Sequence, residues 1–177
     1  MRSVWQLDVR HRGLSHLRPI RKQVICMVLK GKRISGGDDY YTSQWIFNGL
    51  GLEFDLDPCS PIVGGVVPAK TKYNIEDDGL SKDWFGLIWM NPPYSKPTPW
   101  VDRFLAHSNG IALLPFTTGK WWFNIWNHSD VVMPISHRHK FDRADGTTRT
   151  ITFNTALYGI GEVAVQAINR FKLHRIR

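Results

Sequence analysis

Short apolar runs, each bounded by polar residues, glycine or proline, recur along this chain. Residues 87–90 and 110–115 are continuously apolar, as expected for strands that are buried on both faces of a sheet. Residues 53–57 alternate between polar and apolar side chains, and so do residues 150–158, which we predict as a closing strand. Residues 130–135 predict a further strand. The pattern favours a sheet of short strands around one core.

Capping residues and spacing predict helices between these strands. Thr42 or Ser43 is a suitable N-cap for a helix that ends at Gly49 or Gly51. Residues 163–171 fit a last helix or strand. Helices that alternate with strands indicate the α/β class.

Four aromatic residues follow the strand at 110–115 at partly helical spacing, namely Trp121, Trp122, Phe123 and Trp126. A helical cluster of this kind belongs to the core more often than it forms a platform for bases. We therefore predict a core role for it.

Composition fits one globular domain of 177 residues, with 42% hydrophobic residues and eight tryptophans. No apolar run approaches the ~20 residues that a membrane-spanning helix needs. The N-terminus shows no secretory signal, so we predict a cytoplasmic protein. Cys26 and Cys59 form neither a disulfide framework nor a zinc site. His137 and His139 lack further ligands at metal-binding spacing, so we predict no metal.

Charge is unevenly distributed. Residues 1–33 contain nine Lys and Arg against one acid, residues 34–169 carry a net charge of −4, and residues 170–177 contain four basic residues. We divide the chain into a basic N-terminal extension at 1–37, a central domain at 38–169 and the basic tail. Basic ends on an acidic body are typical of a nucleic-acid binder with tethering arms. The alternatives for the extension are an added edge strand or a solvated segment without a partner.

The most specific pattern is Asn91-Pro92-Pro93-Tyr94, directly after the strand at 87–90. Two prolines remove two backbone donors and fix φ near −65°, so the loop leaves the strand extended and stiff. An amide, a proline carbonyl and a tyrosine ring are thereby placed at the carboxyl end of a buried strand, where open α/β sheets bind ligands. This arrangement suits the binding of a planar base through its amino group.

From about residue 40 to residue 161 the chain resembles the phage-type DNA N6-adenine methyltransferases (Dam-like). The resemblance rests on the Asn-Pro-Pro-Tyr motif, on the strand end at Asp57-Pro58, and on later blocks in matching order at 76–80, 113–115, 121–123 and 156–159. It implies a Rossmann-like class I methyltransferase fold, with a mostly parallel central sheet and helices on both faces. It also implies S-adenosylmethionine as the cofactor and double-stranded DNA as the substrate, in the cytoplasm of a bacterial host of a phage or prophage. The oligomeric state, monomer or homodimer, stays open.

The resemblance and the residue chemistry assign site residues to three groups. The predicted catalytic residues are Asn91, Pro92, Pro93 and Tyr94. The predicted cofactor-binding residues are Tyr41, Thr42, Asp57, Pro58, Cys59, Asp78 and Asn91. The predicted DNA-binding residues are Ser95, Lys96, Lys120, Arg138, Lys140 and Arg143, the last three in a basic loop at 136–149.

The motif residues have distinct expected roles. The Asn91 side-chain oxygen and the Pro92 carbonyl would accept the two hydrogens of the target amine. Neutral Asn91 cannot keep a proton, so it is a positioner and not a general base. Tyr94 would stack on a base that has been flipped out of the duplex.

The sequence context of each acidic residue predicts a different role. Asp57 lies at a strand end, where a carboxylate can accept from the cofactor's ammonium or ribose hydroxyls. Asp55 is expected to face solvent instead. Within the acidic turn, Asp78 is preferred over Asp77 for contact with the adenosine. Tyr41 and Thr42 have the alternative of a helix cap beside core aromatics.

Three other functions compete. The motif also occurs in methyltransferases of RNA and of protein amides, although those chains usually carry a glycine-rich cofactor loop that is absent here. A cytosine-N4 target usually goes with a serine in place of Asn91. A DNA-binding relative without catalysis is the non-enzymatic alternative.

Overall fold

The computed structural model describes residues 41–62, 65–135, 140–142, 148–150 and 153–174. Within them, the chain forms four helices and eight strands. Their bounds are α1 (Gln44–Leu50), β1 (Phe54–Asp57), β2 (Ala69–Lys72), β3 (Ile88–Met90), α2 (Thr98–His107), β4 (Gly110–Pro115), α3 (Lys120–His128), β5 (Val131–Ile135), β6 (Lys140–Asp142), β7 (Thr148–Thr150), β8 (Thr155–Ile160) and α4 (Glu162–His174).

Six strands form one mixed sheet in the order β2-β1-β3-β4-β8-β5, and β6 pairs with β7 separately. The pairings of β2, β1, β3 and β4 are parallel, whereas β8 is antiparallel to both β4 and β5. The chain proceeds from β1 to β2 on one side and then crosses to β3 on the other side of β1. The carboxyl ends of β1 and β3 therefore meet at a point where the strand order reverses, which is where open α/β sheets bind ligands.

Helices cover both faces of the sheet. The Trp122 indole N–H of α3 donates to the Tyr158 hydroxyl of β8 at 2.7 Å. A Cβ on the next residue, Gly159, would lie 2.8 Å from Ile168 of α4. Because successive strand residues point to opposite faces, α3 and α4 lie on opposite sides of β8. The predicted α/β class is confirmed.

None of the helices in the described part of the chain is both long enough and apolar enough to cross a membrane.

Most predicted elements are confirmed. The strand at 110–115 has the predicted bounds, α1 ends at a left-handed Gly51, and the last element is a helix. A closing strand is present, but its predicted bounds of 150–158 are wrong, because β8 spans Thr155–Ile160 and is buried at every position. Its edges pair with β4 and β5 and its faces are covered by α3 and α4, so it is not half-exposed as an alternating strand would be. The loop predicted at 136–149 includes β6 and the start of β7.

The close spacing of β3 and β4 requires the absence of a side chain at Gly110. A Cβ there would overlap the Ile88 carbonyl oxygen, and φ is +155°. Gly119 has a nearly equal φ of +149° but no atom within 4 Å of a built Cβ, so it serves as a matched control.

We expect Gly110→Ala to lower the free energy of unfolding by about 1–3 kcal/mol more than Gly119→Ala does, because only the first substitution adds overpacking to backbone strain. Urea unfolding of both variants measures the difference. Equal losses in the two variants would contradict a steric origin.

Candidate active site

A pocket of about 530 Å³ opens at the carboxyl ends of β1 and β3. Its walls come from the N-terminus of α1, the loop after β1, the turn at 74–79 and the loop after β3. Every residue that the sequence assigned to the cofactor lines this pocket: Tyr41, Thr42, Asp57, Pro58, Cys59, Asp78 and Asn91. Four separate segments of the chain are thus brought together in one pocket, and their contact with a cofactor stays a prediction.

Asp57, the last residue of β1, is the buried charge of the pocket. It is 2% exposed, and its Oδ1 accepts a hydrogen bond from the Cys59 backbone N–H at 3.2 Å. Burial raises the pKa of Asp57 to about 7, and hydrogen bonds from Cys59 and Ser60 together with the charge of Lys72 only partly oppose that rise. The carboxylate is therefore short of donors, and a ligand that supplies donors or positive charge would stabilise it.

Asp77 and Asp78 have different environments in the acidic turn. Asp77 Oδ2 accepts from the Asn74 backbone N–H at 2.9 Å, and the Asp77 N–H donates to the Asn74 carbonyl at 3.1 Å. Asp77 is thus occupied within the turn, whereas Asp78 is exposed, left-handed at φ +51° and part of the pocket wall. Of the two, Asp78 lines the pocket, and its contact with the adenosine stays a prediction.

The turn also packs directly on the end of β1. A Cβ at Gly79 would overlap the Pro58 carbonyl oxygen, so only glycine allows this approach. The Trp84 indole N–H donates to the Gly79 carbonyl at 2.7 Å and holds the turn from the other side. The pocket wall that carries Asp78 is fixed by these contacts.

Asn91 is held at both ends of its amide. Its Nδ2 donates to Thr42 Oγ1 at 3.2 Å, and its Oδ1 accepts from the Tyr94 hydroxyl at 2.8 Å. The Tyr94 hydroxyl also lies 3.3 Å from the Leu113 carbonyl on β4. These bonds fix the direction in which the Asn91 oxygen points.

Tyr94 does not fit the stacking role expected from the sequence. The residue is 3% exposed, and its ring packs edge-on against Phe153 with centroids 5.8 Å apart. A buried ring presents no face to a base in this conformation. Its hydroxyl instead contacts the Asn91 side chain.

Cys59 connects the two strand ends. The Asn91 backbone N–H donates to its sulfur, and burial together with the nearby Asp57 raises the pKa of Cys59 well above its ordinary value. Cys59 therefore stays a neutral thiol at physiological pH. Its contact supports the loop geometry and adds no charge to the pocket.

Asp55 lies on the sheet surface, as expected, but it is bonded. Its carboxylate accepts from the Leu87 backbone N–H at 2.8 Å and pairs with Lys70 at 2.9 Å. The Leu87 bond and then the Lys70 bond lower the pKa of Asp55. Asp55 links β1 to its neighbours and takes no part in the pocket.

The predicted DNA-binding residues are only partly described. Ser95 and Lys96 are exposed just after the motif, and Lys120 is exposed at the start of α3. Lys140 begins β6, while Arg138 and Arg143 lie outside the described residues. In the described ranges no three potential metal ligands cluster, and His137 and His139 lie outside those ranges.

Sequence reasoning missed the apolar part of the pocket. Ile62, Val66 and Ile75 line it and are exposed, with Ile75 at 82%. Trp89 lines it from beneath, and within the described chain its buried indole N–H has no hydrogen-bond partner. Single apolar residues in loops carry no periodic signal, so only the fold brings them together.

The pKa of Asp57 has a consequence for stability. Its ordinary value is 3.8 and its folded value is about 7, so between these pH values ionisation favours the unfolded chain. The contribution of neutral Asp57 is complete below pH 3.8 and is lost as pH rises through 7.

We compare the free energy of unfolding of Asp57→Asn with that of the parent, both without ligand. We expect this difference to favour the variant by on the order of 2–4 kcal/mol more at pH 8 than at pH 4. Asp55→Asn is the matched control with the opposite sign, because the pKa of Asp55 is lowered; that variant should lose stability at both pH 8 and pH 4, since the contribution of ionised Asp55 disappears only as pH falls below the ordinary value of 3.8. Urea unfolding at both pH values measures this. A pH-independent Asp57→Asn effect would contradict the burial argument.

Two comparisons place the chain among known proteins. Residues 32–157 match the model of the family described as DNA N-6-adenine-methyltransferase (Dam). The DNA N-6-adenine-methyltransferase of Haemophilus phage HP1 (strain HP1c1) is 29% identical over 127 residues, which cover 65% of this chain and 72% of the phage protein. No solved structure gives a significant match.

The resemblance that the Asn-Pro-Pro-Tyr region indicates is confirmed at the level of the family. The matched range includes both strand ends of the pocket and begins at residue 32, so it also takes in the last residues of the segment at 1–37. The chain belongs to the DNA N-6-adenine-methyltransferase (Dam) family.

Proposed function

We propose that this adenine-specific DNA methyltransferase binds S-adenosylmethionine in the pocket between β1 and β3 and methylates the N6 amine of an adenine flipped out of double-stranded DNA. The observation that carries the proposal is the juxtaposition of Asp57 and Asn91 at adjacent strand ends in one pocket. A phage or prophage protein would act in this way in the bacterial cytoplasm.

We assign the sheet to the Rossmann-like class I methyltransferase fold. Support comes from three adjacent parallel pairings, from helices on both faces, and from a pocket at the point where the strand order reverses. The antiparallel β8 between β4 and β5 completes the sheet on the side away from β2.

The pocket suits this cofactor in size and in chemistry. A volume of about 530 Å³ lies in the usual range for small-molecule sites. Asp57 offers a buried acceptor for an ammonium or for ribose hydroxyls, and the exposed apolar rim of Ile62, Val66 and Ile75 offers contact for a planar ring. S-adenosylmethionine, when bound, supplies a methyl group on a positively charged sulfur.

Asn91 would orient the substrate amine. The Asn91 Oδ1 has two lone pairs, so it can accept one amine hydrogen while it keeps the bond from Tyr94. The Pro92 carbonyl would accept the second hydrogen. Two acceptors that hold the amine hydrogens out of the ring plane localise the nitrogen lone pair. The hydrogen bond that Asn91 Nδ2 donates to Thr42 Oγ1 keeps the amide from turning. Preorganised acceptors of this kind lower a barrier because they need no rearrangement during the reaction.

We expect Asn91→Ala to lower methyl transfer by roughly 100-fold or more, since it removes a preorganised contact to the reacting amine. Transfer from labelled cofactor to unmethylated genomic DNA, with mass spectrometry of the digested nucleosides, measures the product as N6-methyladenine. Asn109→Ala is the matched control, because Asn109 bonds the Gly86 carbonyl at the opposite edge of the sheet.

Three outcomes of this assay separate the alternatives. Loss only in the Asn91 variant supports the proposal. Transfer by the parent protein to RNA or protein but not to DNA would overturn the substrate, and full activity of the Asn91 variant would overturn the site.

Tyr94→Phe distinguishes positioning from stacking, because it removes the hydroxyl and keeps the ring. If Tyr94 orients Asn91, we expect kcat to fall roughly 3- to 10-fold, the effect of one lost hydrogen bond, with little change in KM for the cofactor. Steady-state kinetics measures both constants. An unchanged kcat would favour stacking by a rearranged ring.

A further inference from the structure

Phe123 is an exposed aromatic residue on a rigid base. It is 53% exposed in the first turn of α3, so the core role predicted for the aromatic cluster that includes it is wrong for Phe123. Its ring packs edge-on against Trp122 at 5.0 Å, and Trp122 stacks on Trp126 at 5.1 Å. Because the Trp122 indole is bonded to Tyr158, the ring beneath Phe123 cannot easily move. The cluster thus has a buried part and one projecting ring.

Phe123 lies on the same edge of the sheet as the active-site loop. Helix α3 follows β4 after the four-residue loop 116–119, so its first turn stands at the carboxyl end of the parallel strands. Aromatic contacts continue from there toward the motif. Phe116 packs against Trp122, its backbone N–H donates to the Asn154 carbonyl at 2.7 Å, and the adjacent Phe153 contacts Tyr94.

Lys120 supplies one cation beside Phe123. Lys120 is exposed three residues before Phe123, and residues at this spacing share one face of a helix. On the neighbouring helix the carboxylate of Asp102 accepts a bond from Asn124 at 3.3 Å. A cation beside an exposed ring matches the two parts of a DNA strand, since the cation binds phosphate and the ring stacks on a base.

We propose that Phe123 stacks on a base of duplex DNA next to the target adenine, with Lys120 on an adjacent phosphate. The inference rests on the proposed function. An adenine that leaves the duplex deprives its neighbours of a stacking partner, and this cost opposes flipping. A ring fixed at the rim of the site offsets part of that cost, as inserted apolar side chains do in proteins that unstack DNA.

The experiment uses duplexes that contain the recognition site, which sequencing of DNA methylated by the parent protein identifies first. One duplex is fully paired, and in the other the target adenine faces an abasic position and is already weakly held. We expect Phe123→Ala to slow methylation of the paired duplex roughly 10-fold or more. On the abasic duplex the variant should approach the parent rate, and Phe123→Trp should restore the rate on paired DNA.

Phe85→Ala is the matched control. Phe85 is 45% exposed, but it precedes β3 and therefore lies at the amino edge of the sheet, so both duplexes should be methylated at the parent rate. Lys120→Gln should reduce the salt slope of duplex binding by about 0.9, the value for one phosphate contact, and Phe123→Ala should leave that slope unchanged.

Two results would overturn the inference while the proposed function stands. One is parent-like methylation of paired DNA by Phe123→Ala. The other is an equal loss on both duplexes, which would indicate a role in the fold or in chemistry. Absence of transfer to any DNA by the parent protein would overturn the proposed function itself, and the inference with it.

Discussion

The parallel pairing of β1 with β3 is the constraint on which the site depends. Leu56 and Ile88 are in register, so Asp57 leaves β1 beside the point at which Asn91 leaves β3. Both strands are short, and a shift of one residue would turn the side chains of one strand to the opposite face. The register therefore decides whether the carboxylate and the amide share a pocket.

Hydrogen bonds at both ends of this pair fix the register. At the amino end of β3, the Asp55 carboxylate accepts the Leu87 N–H. At the carboxyl end, the Asn91 backbone N–H donates to the sulfur of Cys59. The first contact uses a surface carboxylate with a lowered pKa, whereas the second uses a neutral thiol. The charged group of these two contacts thus lies at the surface and the neutral one in the interior. Asp57, a buried carboxyl group in the pocket, departs from this pattern.

The sequence predicted the parts of the site that local chemistry determines. Proline cannot donate to the hydrogen-bond ladder and therefore ends a central strand, so the strand ends at Asp57 and near Asn91 could be predicted directly from the sequence. The orientation of Tyr94 could not be predicted, because it depends on Phe153 and on β4, which lie far along the chain. The exposure of Phe123 depends in the same way on which face of α3 packs against β8. The roles of the basic residues outside the described ranges stay predictions.

Asn91 and Asp57 have opposite effects on the stability of the ligand-free pocket. Asn91 has partners at both ends of its amide, so its position is stabilised before any substrate arrives. Asp57 is buried with too few donors, so it destabilises the ligand-free fold at neutral pH. A ligand that donates hydrogen bonds to Asp57 removes this penalty and binds more tightly for that reason. A substrate amine, in contrast, meets an Asn91 oxygen that is already oriented toward it. Proteins commonly accept such local instability where function requires it, and here the buried strands β1 and β3, whose carboxyl ends form the pocket, support it.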